Sequence, residues 1–223
     1  MLKVTFEILI KFIKKNNFKF SPNISSIDIL FIIKEYSIKY LRGIFFHRRF
    51  AMIGYNCKIY RAHVGKAVHI DNNVLINGIG IEPISIGNYV TIGSYSSLKT
   101  SGSYQKLGKG IVIGDGVGIG EYAHIGGAGG VNIGENTIIG SYFSAHPENH
   151  NYSEIDILIK NQGVNQKGIV IGKNCWIGAK VTILDGVEIG DGCVIAAGAV
   201  VNSSFPNNVV IAGVPARIIK KRF

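Results

Sequence analysis

Charge is scarce in this chain. Asp, Glu, Lys and Arg make up 17% of 223 residues, beside 47% hydrophobic residues, which excludes disorder as its general state. Acidic groups are the scarcer kind, 14 against 24 Lys and Arg, for a net charge of +10. The excess is local: residues 1–50 hold ten Lys/Arg and three Asp/Glu, so only +3 remains for residues 51–223. A body that balanced is not a nucleic-acid reader, and no nucleic-acid partner is expected. Cysteine is limited to three residues, an odd number that builds no disulfide framework and fits a reducing, cytoplasmic setting. Long apolar runs are missing, so no spanning helix is expected. The opening MLKVTFEILIKFIKK sets Lys3 and Glu7 among short apolar runs without a small-residue cleavage site. It reads as neither a signal peptide nor a membrane anchor.

Glycine is plentiful, 29 residues against 5 prolines, and it recurs in step with aliphatic residues. Ile86, Ile92 and Leu98 are six apart, as are Ile113, Ile119 and Ile125, then Ile133 and Ile139. The longest run is Ile171, Ile177, Ile183, Ile189, Ile195 and Val201; Val64, Ile70 and Ile76 keep the same step earlier. Small residues occupy the fifth position of the hexads, as in Val90, Val117, Ala123, Thr137 and Val187.

A period of six cannot hold one face of a 3.6-residue helix in register, whereas a short strand plus a turn can. First and fifth positions then point inward, and three segments close a triangular coil of about 18 residues. Such coils stack about 4.8 Å apart, like strands in a sheet. Glycine at the second position suits corners that need unusual dihedrals. Phase breaks at 99–112, between Ile125 and Ile133, and at 146–170, where the longest insertion, beginning AHPENH, leaves the stack. Long polar excursions from a rigid scaffold are usually functional. Residues 1–50 stand apart as a basic amphipathic helical segment, whose helix IDILFIIKEYSIKYLRGIFFHRRF follows the Ser-Pro-Asn turn at 21–23.

These hexads, with IGKNCWIGAKVTILDGVEIGDGCVIAAGAVV and the ending PNNVVIAGVPARIIKK, resemble the hexapeptide-repeat acyltransferases. The likeness is to the branch of galactoside, maltose and capsular-polysaccharide O-acetyltransferases. It implies an all-β fold: a left-handed parallel β-helix over 51–205, an N-terminal helical segment over 1–50 and a short basic C-terminal tail over 206–223. It also implies a homotrimer with active sites between subunits. Acetyl-CoA would be the acyl donor, a sugar or polysaccharide precursor the acceptor, and no metal is expected.

The chemistry calls for a base of near-neutral pKa to take a proton from a hydroxyl. His150 is the first candidate, because continuing the hexad count from Ile139 and Ala145 places it on an outward sixth position, and because Asn149-His150 recurs in related enzymes. His146, in a His-Pro shared with galactoside enzymes, is the second. Asn149 and His124 are candidate substrate contacts; Glu154 and Asp156 would orient a histidine. Gly120 stands where the family carries a polar Asn.

For the donor, the resemblance assigns Trp176 to shield the thioester from water. Ala179 and Ala197 would offer backbone groups to the pantetheine, and Arg217 and Lys220 would meet phosphate and adenine. Asn202 and Ser203 fill a family Thr-Lys position. Cys57, Cys175 and Cys193 fall on inward positions and read as core. Three alternatives share the coil: an acetyltransferase for amino sugars, antibiotics or serine; a metal enzyme of γ-carbonic anhydrase kind, using His124, His146 and His150; and a non-catalytic scaffold. The basic helix would lie on an anionic membrane surface as a weak peripheral contact, or pack on the β-helix.

Overall fold

The computed structural model describes Lys3, Glu7 and residues 19–47, 50–103 and 105–222; of Phe46 and His47 it describes the backbone alone. Most of the opening MLKVTFEILIKFIKK therefore lies outside the described residues.

Three stacks of short parallel strands form the sides of a prism. The first face runs from Met52–Ile53 through Thr91–Ile92, Gly118–Ile119, Ile138–Ile139 and Trp176–Ile177 to Val194–Ile195. The second runs from Lys58–Tyr60 through Ser97–Lys99, His124–Gly126, Ser144–His146 and Thr182–Leu184 to Val200–Val201. The third runs from Ala62–Val64 through Ile111–Ile113, Val131–Ile133 and Ile169–Ile171 to Glu188–Ile189. Every first-position residue of the hexads named above is buried except Val64, which is partly buried against the core. Val90, Val117, Ala123, Thr137 and Val187 are buried too. Each aliphatic side chain so removed from water contributes about 1.5–3 kcal/mol, and each coil packs only on its neighbours.

The glycines work differently from the expectation. Left-handed backbone falls on the fourth hexad position, at Tyr89, Tyr95, Gly116, Tyr122, Asn136, Tyr142, Asn174, Lys180, Gly192 and Gly198. Second-position glycines such as Gly140 have ordinary φ. A Cβ on Gly140 would lie 2.6 Å from the backbone nitrogen of Ala179 in the next coil. Those glycines are there because coils approach too closely for a side chain.

The helix Ser26–His47 follows the turn at Pro22 and Asn23. Ser25 and Asp28 cap it reciprocally: Ser25 Oγ accepts from the Asp28 amide at 3.1 Å and the Asp28 carboxylate accepts from the Ser25 amide at 3.0 Å. The helix packs against Met52–Ile53 at the open end of the prism, burying Ile29 and Lys39. Packing on the β-helix is thus the arrangement seen. Its other side leaves Ile27, Phe31 and Phe45 exposed, and no described helix is long and apolar enough to cross a membrane.

The C-terminal tail is structured. Val209–Gly213 joins the first face parallel to Val194–Ile195, and Ala216–Lys221 folds back antiparallel across the cis Val214–Pro215 bond.

Candidate functional site

Two histidines meet on the outer side of the second face. His124 opens one strand, with Ser97 and Ser144 as its partners on the adjoining strands. His146 ends the next strand, opposite Leu184. Gly126 lies opposite Lys99 and has no side chain to crowd the gap. The rings of His124 and His146 come within 5.7 Å, tilted by 33°. Burial holds the His124 imidazole below its ordinary pKa, and the His146 and Lys99 charges push the same way. Beside them Ser144 Oγ and Thr182 Oγ1 share a hydrogen bond of 3.0 Å.

His150 is not in this cluster, and the hexad count that put it at a corner fails. The coil ends at His146. The chain then turns at the buried Pro147 and forms a two-stranded antiparallel ribbon, Asn149 opposite Asn165 and His150 opposite Val164. His150 and Asn149 are exposed and line an open groove with Tyr152, Glu154 and Gln162. The Gln162 amide holds the loop by donating to the Glu154 and Ile157 carbonyls, each at 2.7 Å. Glu154 lines that groove, and among the described residues its carboxylate has no bond to either histidine; Asp156 is exposed. His124, His146 and His150 do not converge within the chain.

Trp176 stands on the first face, 60% exposed, between Ile138 and Val194 on the adjoining strands. Ile138 is 61% exposed, so the two make an exposed apolar strip. Ala179 and Ala197 occupy the corner between first and second faces in successive coils, joined where the Gly198 amide donates to the Ala179 carbonyl at 2.8 Å. Asn202, Ser203, Arg217 and Lys220 are exposed toward the C-terminal end. The Arg217 guanidinium donates to the Ala216 carbonyl at 2.7 Å.

Cys175 and Cys193 are buried as expected, while Cys57, in the first coil, is only partly buried. Burial pushes the Cys175 thiol up. Among the described residues the cysteines are free thiols.

Sequence reasoning passed over Tyr95, Tyr122 and Tyr142. They stack along the corner that carries Ala179, two residues before Ser97, His124 and Ser144. The signal was present: Ile-Gly-Ser-Tyr, Ile-Gly-Glu-Tyr and Ile-Gly-Ser-Tyr begin at residues 92, 119 and 139.

The bacterial transferase hexapeptide (six repeats) family matches residues 168–203. The chain is 42% identical over 95 residues to galactoside O-acetyltransferase of Escherichia coli K12, covering 41% of this chain and 44% of that protein. It is 40% identical over 107 residues to the E. coli K12 protein WbbJ, named for lipopolysaccharide-biosynthesis O-acetyl transfer, covering 45% and 55%. The matched stretch thus spans about half the length of these relatives. Among solved structures, a variant of AntD, an N-acyltransferase from Bacillus cereus, superposes with a TM-score of 0.60 at 27% identity. The match covers 77% of this chain and 86% of that one, whose structure holds dTDP-4-amino-4,6-dideoxyglucose and coenzyme A. In its coil of hexads and in these likenesses the chain resembles the hexapeptide-repeat acyltransferases, and its stacked parallel strands are those of their left-handed parallel β-helix.

Proposed function

We propose that the protein transfers an acetyl group from acetyl-CoA to a sugar hydroxyl of a polysaccharide or lipopolysaccharide unit. The carrying observation is the His124–His146 pair at the foot of the longest loop. His146 is the base in this reading. It takes the hydroxyl proton as the sugar oxygen attacks the thioester carbonyl, and a backbone N–H stabilises the oxyanion. The carbon–sulfur bond then breaks, the proton passes to the leaving thiolate, and ester and free CoA result. His124, whose pKa burial lowers, shares a hydrogen bond with the sugar. His150 and Asn149, on the loop ribbon, border the acceptor.

The active site closes between subunits of a homotrimer. His146 lies at the far edge of the second face and Trp176 on the first, with the Tyr142–Lys180 corner between them. One convex prism cannot present both to one thioester, whereas a second prism laid alongside can. Trp176 then covers the thioester, Ala179 and Ala197 receive the pantetheine, and Arg217, Lys220, Asn202 and Ser203 take the nucleotide end. A need for acetyl-CoA would fit a cytoplasmic setting, and the basic helix supports peripheral contact with the inner membrane surface.

Acetyl-CoA consumption against hydroxyl and amino sugars, with His146→Ala and His150→Ala beside wild type, tests this. The expectation is a loss of about 10²–10⁴-fold for His146→Ala and a smaller one for His150→Ala. The reverse order would make His150 the base. Turnover of amino sugars alone would favour a second reading, N-acetylation, which the likeness to AntD supports.

A further inference from the structure

A ridge of three tyrosines runs along the corner between the first and second faces. Tyr95, Tyr122 and Tyr142 hold the same fourth hexad position in successive coils. Their ring centroids are 5.0 Å apart at each step, with interplanar angles of 6° and 3°. Lys180 takes that position one coil on, its Nζ 6.0 Å from the Tyr142 ring centroid. The three are 54%, 44% and 53% exposed, and none of their hydroxyls has a hydrogen-bond partner among the described residues.

Stability alone is a poor reason for tyrosine here. All three have left-handed backbone, with φ of 61°, 56° and 60°, a strained conformation for a residue bearing Cβ. Asn and Gly adopt it more cheaply and fill most of the neighbouring corner, at Gly116, Asn136, Asn174 and Gly192, with Ala67 and Tyr89 at its N-terminal end. Two stacked pairs offset only part of the strain of three residues. Strain tolerated three times over at an exposed corner points to what the side chains present.

Each stacked ring has its faces against its neighbours, so the ridge presents edges: phenol hydroxyls one coil apart, with apolar ring flanks between. Two residues after each tyrosine, Ser97, His124 and Ser144 add a hydroxyl, an imidazole and a hydroxyl on the second face. Immediately before the three tyrosines stand Ser94, Glu121 and Ser141. The rail is thus polar, nearly uncharged and repeated at the height of one coil. A saccharide chain is the matching ligand: hydroxyls over C–H faces, repeated at the length of one pyranose, which is close to that height.

We propose that the Tyr95–Tyr122–Tyr142 ridge binds the acceptor as an extended saccharide chain laid along the prism axis beside His124 and His146. This rests on the sugar-acetyltransferase reading and deepens it, since the acceptor becomes a chain and not a free monosaccharide. Ala179 and Ala197 continue the same corner toward the C-terminus, so donor and acceptor tracks lie end to end.

The test is a glycan array bearing bacterial capsule and O-chain oligosaccharides with their constituent monosaccharides, probed with the full chain. Wild type should favour chains of three or more units over monosaccharides by about tenfold, equal to about 1.4 kcal/mol. A Tyr95→Asn/Tyr122→Asn variant should lose about that factor, with its melting temperature and coenzyme A binding by calorimetry retained. A Tyr95→Phe/Tyr122→Phe variant, which keeps the stack and drops the hydroxyls, should also bind more weakly. The proposal is overturned if wild type shows no preference for chains, or if both variants bind them as wild type does. Failure of wild type to bind coenzyme A would instead sink the acetyltransferase reading, and the array decides the ridge separately.

Discussion

The ammonium of Lys39 lies 2.6 Å from the Asp71 carboxylate and 3.2 Å from His69 Nε2, tying the helix Ser26–His47 to the second coil. The Lys39 side chain is only 10% exposed, an unusual depth for a lysine. Its burial is tolerated because the charge meets an anion. Lys39→Ala leaves Asp71 without that cation and should cost about 1.5–3 kcal/mol, read as a lower urea midpoint with unchanged slope. An unshifted midpoint would show that the helix is held by apolar contact alone.

His124 should titrate below the free imidazole value of about 6.5, because burial disfavours its cation and Lys99 and His146 repel it. NMR titration of the ring checks this. Lys99→Met removes one repelling charge and should move the midpoint upward. The folded protein binds this proton more weakly than the unfolded chain does, so acidification from the unfolded to the folded midpoint removes stability. A midpoint that ignores Lys99→Met would leave burial and His146 as the causes.

Glycine substitutions separate close packing from backbone strain. Gly140→Ala should destabilise strongly, because its Cβ would meet the Ala179 backbone, which cannot move without opening the coil. Gly198→Ala meets open space at φ +72° and should cost about 1–2 kcal/mol from left-handed backbone alone. Thermal denaturation of the two side by side orders them. Equal losses would mean the coils can spread.

Those two glycines also mark how far the sequence could be read. Period six was legible because every coil needs an aliphatic at the same inward place, and Ile92, Ile119, Ile139 and Ile177 supply it. The reason for Gly140 was not legible, since spacing shows where a residue recurs and not what the next coil places against it. His150 was misplaced for a related cause: the count assumes the coil continues, and Pro147 ends it one residue after His146. His124 and His146 are 22 residues apart in the chain, and only the coil register brings them together. The helix was legible from its apolar pattern and the turn before it, but its burial of Lys39 was not.

The buried thiols should be inert. Cys193 Sγ lies 3.1 Å from the Pro206 carbonyl and Cys175 Sγ 3.3 Å from that of Gly190, and both side chains are within the core. Iodoacetamide should label the folded protein at Cys57 far faster than at Cys175 or Cys193, with mass spectrometry locating the adduct. All three should react once the chain is unfolded. Rapid labelling of Cys175 in the folded state would contradict its burial.

Trp176 is the single tryptophan, so its fluorescence reports one place. In an isolated subunit it stands 60% exposed beside Ile138, a polar setting that gives red-shifted emission. If a second prism and the pantetheine arm close over it, the spectrum should shift to the blue on assembly and again on adding coenzyme A. Trp176→Ala then removes a shield and not a core residue. It should raise KM for acetyl-CoA and favour hydrolysis of the thioester over transfer, while the melting temperature of the separated subunit stays nearly constant. A large loss of subunit stability would instead assign Trp176 to the prism itself, and emission indifferent to coenzyme A would move the donor away from the first face.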